Sequence, residues 1–449
     1  MKKLSRVLSS AAVIMLICAM LCSCSVIDDL LSDENVIATI SADNSDEYVQ
    51  IEKYVFTVSP YYTPYENKTS YDLLQSEGER KMYNMLVENA YSVYPEPYET
   101  GYYNCKQAVL QGTLINEAQI RVVIKAIYDD HPEIFWITST FGYLIDKSNS
   151  NTIVQLHSDF SPEDVSRAVR ETGEIIDTYL ADTPAGLSDY ELEKMVHDDI
   201  IDMCSYNSDV ALAGTSDGYE KYYTIYGVLK EHQAVCEGYA RTFELLLNLL
   251  GVECVGITGM AQGGENGEEE LHMWNAVKIS DKWYLVDATW DDQNDEFQRH
   301  DYFNVTSEIM NHDHMPSKLY YELTDDQING DETYAAVAMN MFVPECYDMD
   351  YNYIVAEYPH MVDYEADDVI EALYDTAYDE ETYFEFYIDP GHLIMDEALR
   401  LLFADSPQYF FDYVDTVNEW LEDYSIDSSS ISYVSDPVLS YVVVELHYL

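Results

Sequence analysis

The stretch from residue 236 to 290 constrains the fold more than any other part of this chain. Apolar residues recur at helical spacing from Tyr239 to Leu250, and Gly251 then follows as a left-handed helix stop. Strand-like runs come next at 252–260, 272–279 and 282–290. Only two polar residues separate the last two runs, which predicts a β-hairpin. The order predicts an α+β core in which a helix packs on an antiparallel sheet.

The hairpin loop determines which side chains meet. If residues 280–281 form a two-residue loop, His272 lies opposite Thr289, and Asp287 is a diagonal neighbour of His272 on the same face. A three-residue loop without a bulge would place His272 and Asp287 on opposite faces. The hairpin register is therefore a prediction that a structure can test.

Cys236 opens the predicted helix, where backbone N–H groups and the helix dipole favour a thiolate. Glu237 opposes this as a like charge, and Gly238 is expected to leave room for a substrate chain. Cys236, His272 and Asp287 follow one another as nucleophile, base and orienting group. Cys236 would attack an acyl carbonyl, His272 would hold the thiolate and protonate the leaving amine, and Asp287 would fix the imidazole tautomer.

Three sequence blocks carry a family resemblance. They are Cys236-Glu237-Gly238-Tyr239-Ala240, His272-Met273-Trp274-Asn275 and Trp283-Tyr284-Leu285-Val286-Asp287-Ala288-Thr289-Trp290. In this order they resemble the bacterial form of the transglutaminase-like superfamily. The resemblance implies a papain-like fold with Cys236, His272 and Asp287 in the triad positions. Its members are transglutaminases, proteases and peptide amidases, and some lack activity.

The second oxyanion donor and the second substrate stay open. Animal transglutaminases carry Gln immediately before the nucleophile, whereas Val235 occupies that position here. One expected donor is the backbone N–H of Cys236, and Gln233 or Tyr226 is the candidate for the other. Water would make the chain a peptidase or amidase, and a primary amine would make it a transglutaminase. The alternative hypothesis is a catalytically silent surface binding module that retains the fold.

The N-terminus predicts export and lipid attachment. Lys2, Lys3 and Arg6 precede an apolar run from 7 to 21 that is short for a membrane span. The following Leu21-Cys22-Ser23-Cys24 resembles the lipobox of bacterial lipoproteins, which implies lipidation of Cys24. We therefore expect a lipoprotein at the outer face of a bacterial cell membrane.

Charge limits the partners of the 449-residue chain. It has 84 Asp and Glu against 22 Lys and Arg, a formal net charge of −62. Such a surface cannot neutralise phosphates, so we expect no nucleic acid partner and membrane attachment through the N-terminal lipid only. A peptide or protein is the expected substrate. The oligomeric state is not determined by these observations.

No cofactor and no metal site is predicted. The cysteines lack the Cys-x-x-Cys spacing of zinc sites, and the acidic run 291–296 lacks the glycine turn and terminal glutamate of an EF-hand loop. His312 and His314 flank Asp313, but two further ligands cannot be identified. His197, beside two aspartates, is expected to be a solvated or capping residue.

The chain is predicted to contain five segments. These are a lipoprotein signal peptide with its lipidation cysteine (1–24), an acidic tether (25–50), an N-terminal α+β domain (51–182), a transglutaminase-like domain (183–325) and a C-terminal α+β accessory domain (326–449). Helices are expected after Ser161 and after Ser188, which both have N-cap patterns. The C-terminal segment is expected to form helices near 367–378, 396–404 and 407–424, and strands at 383–388 and 441–446.

Overall fold

The computed structural model describes residues 56–57, 68–97, 101–213, 218, 220–262, 269–293, 299–329 and 339–449. The predicted signal peptide, tether and lipidation site at Cys24 lie outside these ranges. Within them, no helix combines the length and the apolar character that a membrane span needs.

Helices and mainly antiparallel sheets share the described ranges, which confirms the predicted α+β class. The helices are α1 (Thr69–Leu73), α2 (Glu77–Ala90), α3 (Glu117–Asp130), α4 (Pro162–Asp182), α5 (Asp189–Met203), α6 (Ser208–Ala213), α7 (Cys236–Leu250), α8 (Ala288–Asp291), α9 (Ser307–Met310), α10 (Asp325–Ile328), α11 (Tyr353–Glu357), α12 (Asp367–Tyr378), α13 (Met395–Leu399) and α14 (Tyr409–Trp420). The strands are β1 (Phe56–Thr57), β2 (Ser92–Pro97), β3 (Tyr103–Cys105), β4 (Ala108–Leu110), β5 (Ile137–Asp146), β6 (Asn151–Ser158), β7 (Ser205–Tyr206), β8 (Gln233–Ala234), β9 (Cys254–Gln262), β10 (Glu269–Ile279), β11 (Lys282–Val286), β12 (His314–Pro316), β13 (His360–Met361), β14 (Tyr383–Ile388), β15 (Ser432–Asp436) and β16 (Tyr441–Glu445).

The chain divides into two compact units. The first consists of the described residues within Met1–Gln298 and Met310–Cys346, and the second of Arg299–Ile309 and Tyr347–Leu449. The first unit contains both the predicted N-terminal segment and most of the predicted transglutaminase-like segment, so the boundary between them stays a prediction.

In the first unit, a six-stranded sheet has the order β1-β2-β3-β6-β4, with β5 also paired to β6. The Ser161 side chain accepts the backbone N–H of Asp164 at 3.2 Å and so caps α4, as predicted. The predicted capping box of Ser188 and Glu191 begins α5. These caps satisfy N–H groups that have no partner within the helix.

A second sheet of the first unit has the order β11-β10-β9-β12, with antiparallel neighbours throughout. Helix α7 packs on β9 and β10 and buries the predicted apolar stripe, including Tyr239, Phe243 and Leu246. It ends at Gly251, whose φ of 91° lies in the left-handed region. This confirms the expected packing of the helix that begins at Cys236 on an antiparallel sheet.

The hairpin register is confirmed, but its second strand is shorter than predicted. Ser280 and Asp281 have φ angles of 50° and 64°, and Ile279 pairs with Lys282 across the two-residue loop. Strand β11 ends at Val286 because the next residue, Asp287, caps α8 through its side chain. The prediction of a strand as far as residue 290 is therefore wrong.

The second unit is built on a four-stranded sheet of order β13-β14-β16-β15. Helices α12 and α14 contribute Val369, Leu373 and Val414 to its buried core, and β14 contributes Phe384 and Phe386. The bounds of α12 and β14 agree with the prediction, whereas the predicted helix 407–424 is shorter, at Tyr409–Trp420.

Candidate active site

Cys236 is the first residue of α7 and is 3% exposed. Its N-cap residue, Val235, provides no side-chain cap, so the first backbone N–H groups of the helix and the dipole are available to a negative charge at the sulfur. The expected role of Gly238 in admitting substrate is wrong. A Cβ at Gly238 would lie 2.8 Å from the Cβ of Ala234 and 2.9 Å from the backbone oxygen of Tyr222, so the glycine allows close packing within the protein.

The negative charge of Glu237 is compensated. Its Oε1 accepts Nε of Arg241 at 2.9 Å and also accepts the hydroxyl of Tyr128 from α3. The guanidinium carbon of Arg241 lies 3.4 Å from the centroid of the Tyr128 ring, and its Nη1 donates to the Tyr128 carbonyl at 2.9 Å. Glu237 therefore opposes a thiolate at Cys236 less than its position in the sequence suggests.

His272 and Asp287 form a buried pair. Nε2 of His272 lies 2.6 Å from Oδ2 of Asp287, and the charge of Cys236 also acts on the His272 ring. Burial alone would lower the pKa of His272, but the charges of Asp287 and Cys236 raise it well above its usual value. Burial alone would raise the pKa of Asp287, but the charge and hydrogen bond of His272 bring it well below its usual value. Both groups are thus held in their charged forms.

Asp287 accepts four hydrogen bonds. Its Oδ1 accepts the backbone N–H groups of Thr289 at 2.9 Å and Trp290 at 3.2 Å. Its Oδ2 accepts His272 and also Nε2 of His314, at 3.0 Å. An ionised carboxylate has enough lone pairs for these donors, whereas an amide does not. The capping of α8 and the orientation of His272 therefore depend on the same side chain.

Aromatic rings enclose the two histidines. The centroid of Trp274 lies 6.1 Å from that of His272 and 5.0 Å from that of His314, and Trp290 lies 5.7 Å and 4.4 Å from the same rings. Gly259 makes room for Trp274, since a Cβ there would be 2.6 Å from Cη2 of the indole. Trp274 is fully buried, as expected for a packing residue.

Asn275 connects β10, which carries His272, to α7, which begins at Cys236. Its Nδ2 donates to the Ala240 carbonyl of α7 at 3.0 Å and lies 3.4 Å from the Val255 carbonyl of β9. Asn275 is 1% exposed, so these bonds replace the water it loses on folding. This contact holds β10 against the helix that begins at Cys236.

Tyr206 and Tyr223 lie near Cys236 in the structure, although no sequence motif marks either residue. Tyr206 lies on β7, which pairs with β8 so that Tyr206 is the partner of Ala234. Burial and the charge of Cys236 raise the pKa of the Tyr206 hydroxyl, and burial followed by the charges of Glu237 and Cys236 raises that of Tyr223. Because both hydroxyls keep their protons, they can donate hydrogen bonds beside the thiol.

The two predicted oxyanion candidates have other partners. The Tyr226 hydroxyl donates to Oε2 of Glu171 at 3.1 Å. Gln233 is exposed, and its side-chain oxygen accepts Nδ2 of Asn207 at 2.9 Å. A role for either residue in binding an oxyanion stays a prediction.

His197 is buried, so its expected exposure is wrong. Its Nδ1 lies 3.0 Å from Oδ1 of Asp198, and its Nε2 lies 3.1 Å from Oδ2 of Asp291. Burial lowers its pKa, but the hydrogen bonds and charges of the two aspartates outweigh this and raise it to about 9. His197 is a buried cation that connects α5 to the end of α8.

The donor atoms of His272, Asp287 and His314 lie within 4.8 Å of one another, close enough in principle for one cation. Their separations from Oδ2 of Asp287, 2.6 Å and 3.0 Å, are hydrogen-bond distances, and ring protons account for both contacts. The arrangement is thus explained by hydrogen bonding. The sequence predicts no role for His314 beyond a possible metal ligand together with His312.

Comparisons with known proteins show what the central part of this chain is similar to. A model of the transglutaminase-like superfamily matches residues 180–288. Kyphoscoliosis peptidase from Mus musculus and from Homo sapiens is in each case 38% identical over 69 residues, covering 14% of this chain and 10% of the relative. The chain thus matches about a tenth of the length of these curated relatives.

Among solved structures, the crystal structure of a TGase has a TM-score of 0.25 and 15% identity, covering 43% of this chain and 53% of the other. This TM-score and identity are too low to support any conclusion about the function of this chain. Residues 180–288 are similar to the transglutaminase-like superfamily, which confirms the resemblance carried by the three sequence blocks.

Proposed function

We propose that this chain is an exported, lipid-anchored enzyme that transfers acyl groups from peptides or proteins through Cys236. The observation that carries the proposal is a set of three buried side chains: the Cys236 thiol at the start of α7, His272, whose pKa the charge of Cys236 helps to raise, and Asp287, 2.6 Å from Nε2 of His272. These three groups can act as nucleophile, acid and base, and orienting carboxylate.

In the proposed reaction, the thiolate of Cys236 attacks the carbonyl carbon of an amide, and a C–S bond forms. The negative charge moves to the carbonyl oxygen, within reach of backbone N–H groups at the start of α7. As the C–N bond breaks, Nδ1 of His272 gives its proton to the leaving amine. Asp287 keeps the proton on Nε2 throughout, so Nδ1 is the nitrogen that exchanges protons.

The thioester is then cleaved by a second nucleophile. Neutral His272 removes a proton from water or from a primary amine as it attacks, and the thiolate of Cys236 leaves. Water completes peptide or amide hydrolysis, and an amine completes transamidation. The name of the mammalian relatives, kyphoscoliosis peptidase, favours hydrolysis, although that similarity extends over only 69 residues.

The proposal predicts an unusually reactive thiol at Cys236. We expect iodoacetamide to modify Cys236 of the full chain rapidly well below pH 7, whereas an ordinary thiol titrates near pH ~8.5. His272→Ala should abolish the low-pH reaction. Mass spectrometry of the peptide containing Cys236 separates its modification from that of the other cysteines. His392→Ala is a matched control, since His392 is exposed and bonded to Asp389 in the second unit.

Slow modification of Cys236 that is independent of His272 would refute the enzymatic proposal. It would favour the alternative of a silent domain that binds a partner.

Lipid attachment is tested separately. In a bacterial host, the chain should incorporate labelled palmitate and fractionate with membranes. Cys24→Ser should abolish the labelling, and Cys22→Ser should leave it unchanged. Labelling that persists in the Cys24 variant would show that the anchor has been assigned to the wrong residue.

A further inference from the structure

We propose that His314 is a second histidine of the candidate active site, held as an imidazolium between Asp287 and Asp313, where it positions Asp287 and offsets the negative charge that Asp287 presents to His272. This inference rests on the proposed function of Cys236 and His272. It assigns His314 a role as a positioning residue, because it acts on the reacting groups through Asp287.

The protonation of His314 follows from its two partners. Its Nε2 lies 3.0 Å from Oδ2 of Asp287, and its Nδ1 lies 2.6 Å from Oδ1 of Asp313. A carboxylate only accepts hydrogen bonds, so each ring nitrogen must carry a proton for both bonds to form. An imidazole with two N–H groups is a cation. The two aspartates also raise the pKa of His314, although burial by itself would lower it.

Strand pairing places His314 beside His272. On β9, Gly259 pairs with His272 of β10, and Ala261 pairs with His314 of β12. Gly259 and Ala261 are two residues apart, so both histidines point to the same face of the sheet. Their ring centroids are 5.3 Å apart.

The His314 side chain lies in an enclosed position. The His314 side chain is 0% exposed, and Trp274 and Trp290 pack on it with ring centroids at 5.0 Å and 4.4 Å. A charge at this depth interacts strongly with its neighbours, since little water screens it. The Asp313 side chain is 29% exposed and keeps some contact with water.

The charges around His314 come from several elements. Asp287 at the start of α8 and Asp313 beside β12 are negative, and His272 on β10 is positive. Cys236 at the start of α7 interacts with His272, and Tyr206 on β7 interacts with Cys236, Glu270 and Asp287. Glu270 is exposed at the start of β10.

His314 changes the charge balance of the reacting pair. With it, the buried set of thiolate, His272 imidazolium, Asp287 carboxylate and His314 imidazolium sums to zero. Without it, one negative charge remains uncompensated. That charge would hold the His272 proton more tightly and would make the Cys236 thiolate harder to form. Both ionisations of the pair should therefore move to higher pH.

The test measures the iodoacetamide rate at Cys236 of the full chain from pH 4 to 10. His314→Gln removes the charge and keeps an N–H donor. We expect it to move both inflections of the rate profile upward by about one pH unit, the size expected for a unit charge at this separation. Asp313→Asn keeps His314 but removes one of its two carboxylates. With His314 still protonated, the loss of this negative charge should move both inflections the other way, to lower pH, and by a smaller amount because Asp313 is partly exposed.

A second measurement is independent of Cys236. In the full chain labelled with ¹⁵N-histidine, the His314 signals, identified by their absence in His314→Gln, should show both nitrogens protonated at pH 7.5. One unprotonated nitrogen would overturn the proposal. An unshifted rate profile in both variants would also overturn it. Neither result affects the proposed function, which fails only if the wild-type thiol lacks low-pH reactivity dependent on His272.

Discussion

Replacing Asp287 by asparagine should show what the orientation of His272 contributes to the reactivity of Cys236, because the variant keeps the histidine and changes only its partner. In the native protein, the backbone N–H groups of Thr289 and Trp290 and the Nε2 atoms of His272 and His314 all donate to this carboxylate. An asparagine side chain has one accepting oxygen and one NH₂ group. If the oxygen keeps the helix cap, the NH₂ group faces the two ring nitrogens.

The result for His272 follows from this mismatch. Its Nε2 must lose its hydrogen to accept from the amide, so the ring proton moves to Nδ1, the nitrogen that exchanges protons in the proposed reaction. A neutral imidazole with its proton on Nδ1 cannot take the thiol proton. Cys236 should then react with iodoacetamide like an ordinary thiol, for which the reference pKa is ~8.5. At pH 6 about 0.3% of such a thiol is ionised.

The modification of Cys236 by iodoacetamide at pH 6 should therefore slow by up to about 300-fold in Asp287→Asn. Near pH 10 the two proteins should react at similar rates. We also expect the free energy of unfolding to fall by about 1–3 kcal/mol, since one buried donor is left without an acceptor. The assay is peptide mass spectrometry at Cys236, with urea denaturation to confirm folding.

Asp281→Asn is the matched control. Asp281 lies in the loop of the same hairpin, is exposed and has a φ of 64°, a conformation that asparagine tolerates. This variant loses the same charge away from the site and should react like wild type. A folded Asp287→Asn protein whose rate at pH 6 stays within about threefold of wild type would refute the reasoning that Asp287 determines the tautomer of His272.

Two further predictions concern stability. A Cβ at Gly259 would overlap the Met315 carbonyl oxygen and lie 2.6 Å from Cη2 of Trp274, so Gly259→Ala should cost about 1–3 kcal/mol. Gly142→Ala, whose nearest atom is 3.9 Å away, should cost much less, and equal urea midpoints for the two variants would contradict this. The folded pKa of His197, about 9, lies above its unfolded value of 6.5. The contribution of His197 to the free energy of unfolding, about 3 kcal/mol, should therefore be fully present below pH 6.5 and be lost as the pH rises through 9. His197→Gln should remove that part of the pH dependence of urea unfolding, and an identical pH dependence in the two proteins would count against a buried imidazolium.

Local patterns in the sequence were sufficient to predict much of the structure around Cys236, His272 and Asp287. The helical stripe before Gly251 predicted α7, and the two polar residues at 280–281 predicted the hairpin register. These features depend on neighbours a few residues apart, so they can be read from spacing alone. The register then implied that His272 and Asp287 would meet, as they do at 2.6 Å.

The environment of that pair was decided by tertiary structure. His314 reaches Asp287 because β12 pairs with β9, a contact between strands more than 50 residues apart. The charge of Glu237 is compensated by Arg241 one helical turn later and by Tyr128 on α3, more than 100 residues earlier in the chain. The neighbouring aspartates predicted that His197 is exposed, yet it is buried against Asp291. Burial and charge compensation depend on which distant segments pack together, and local spacing carries no information about that.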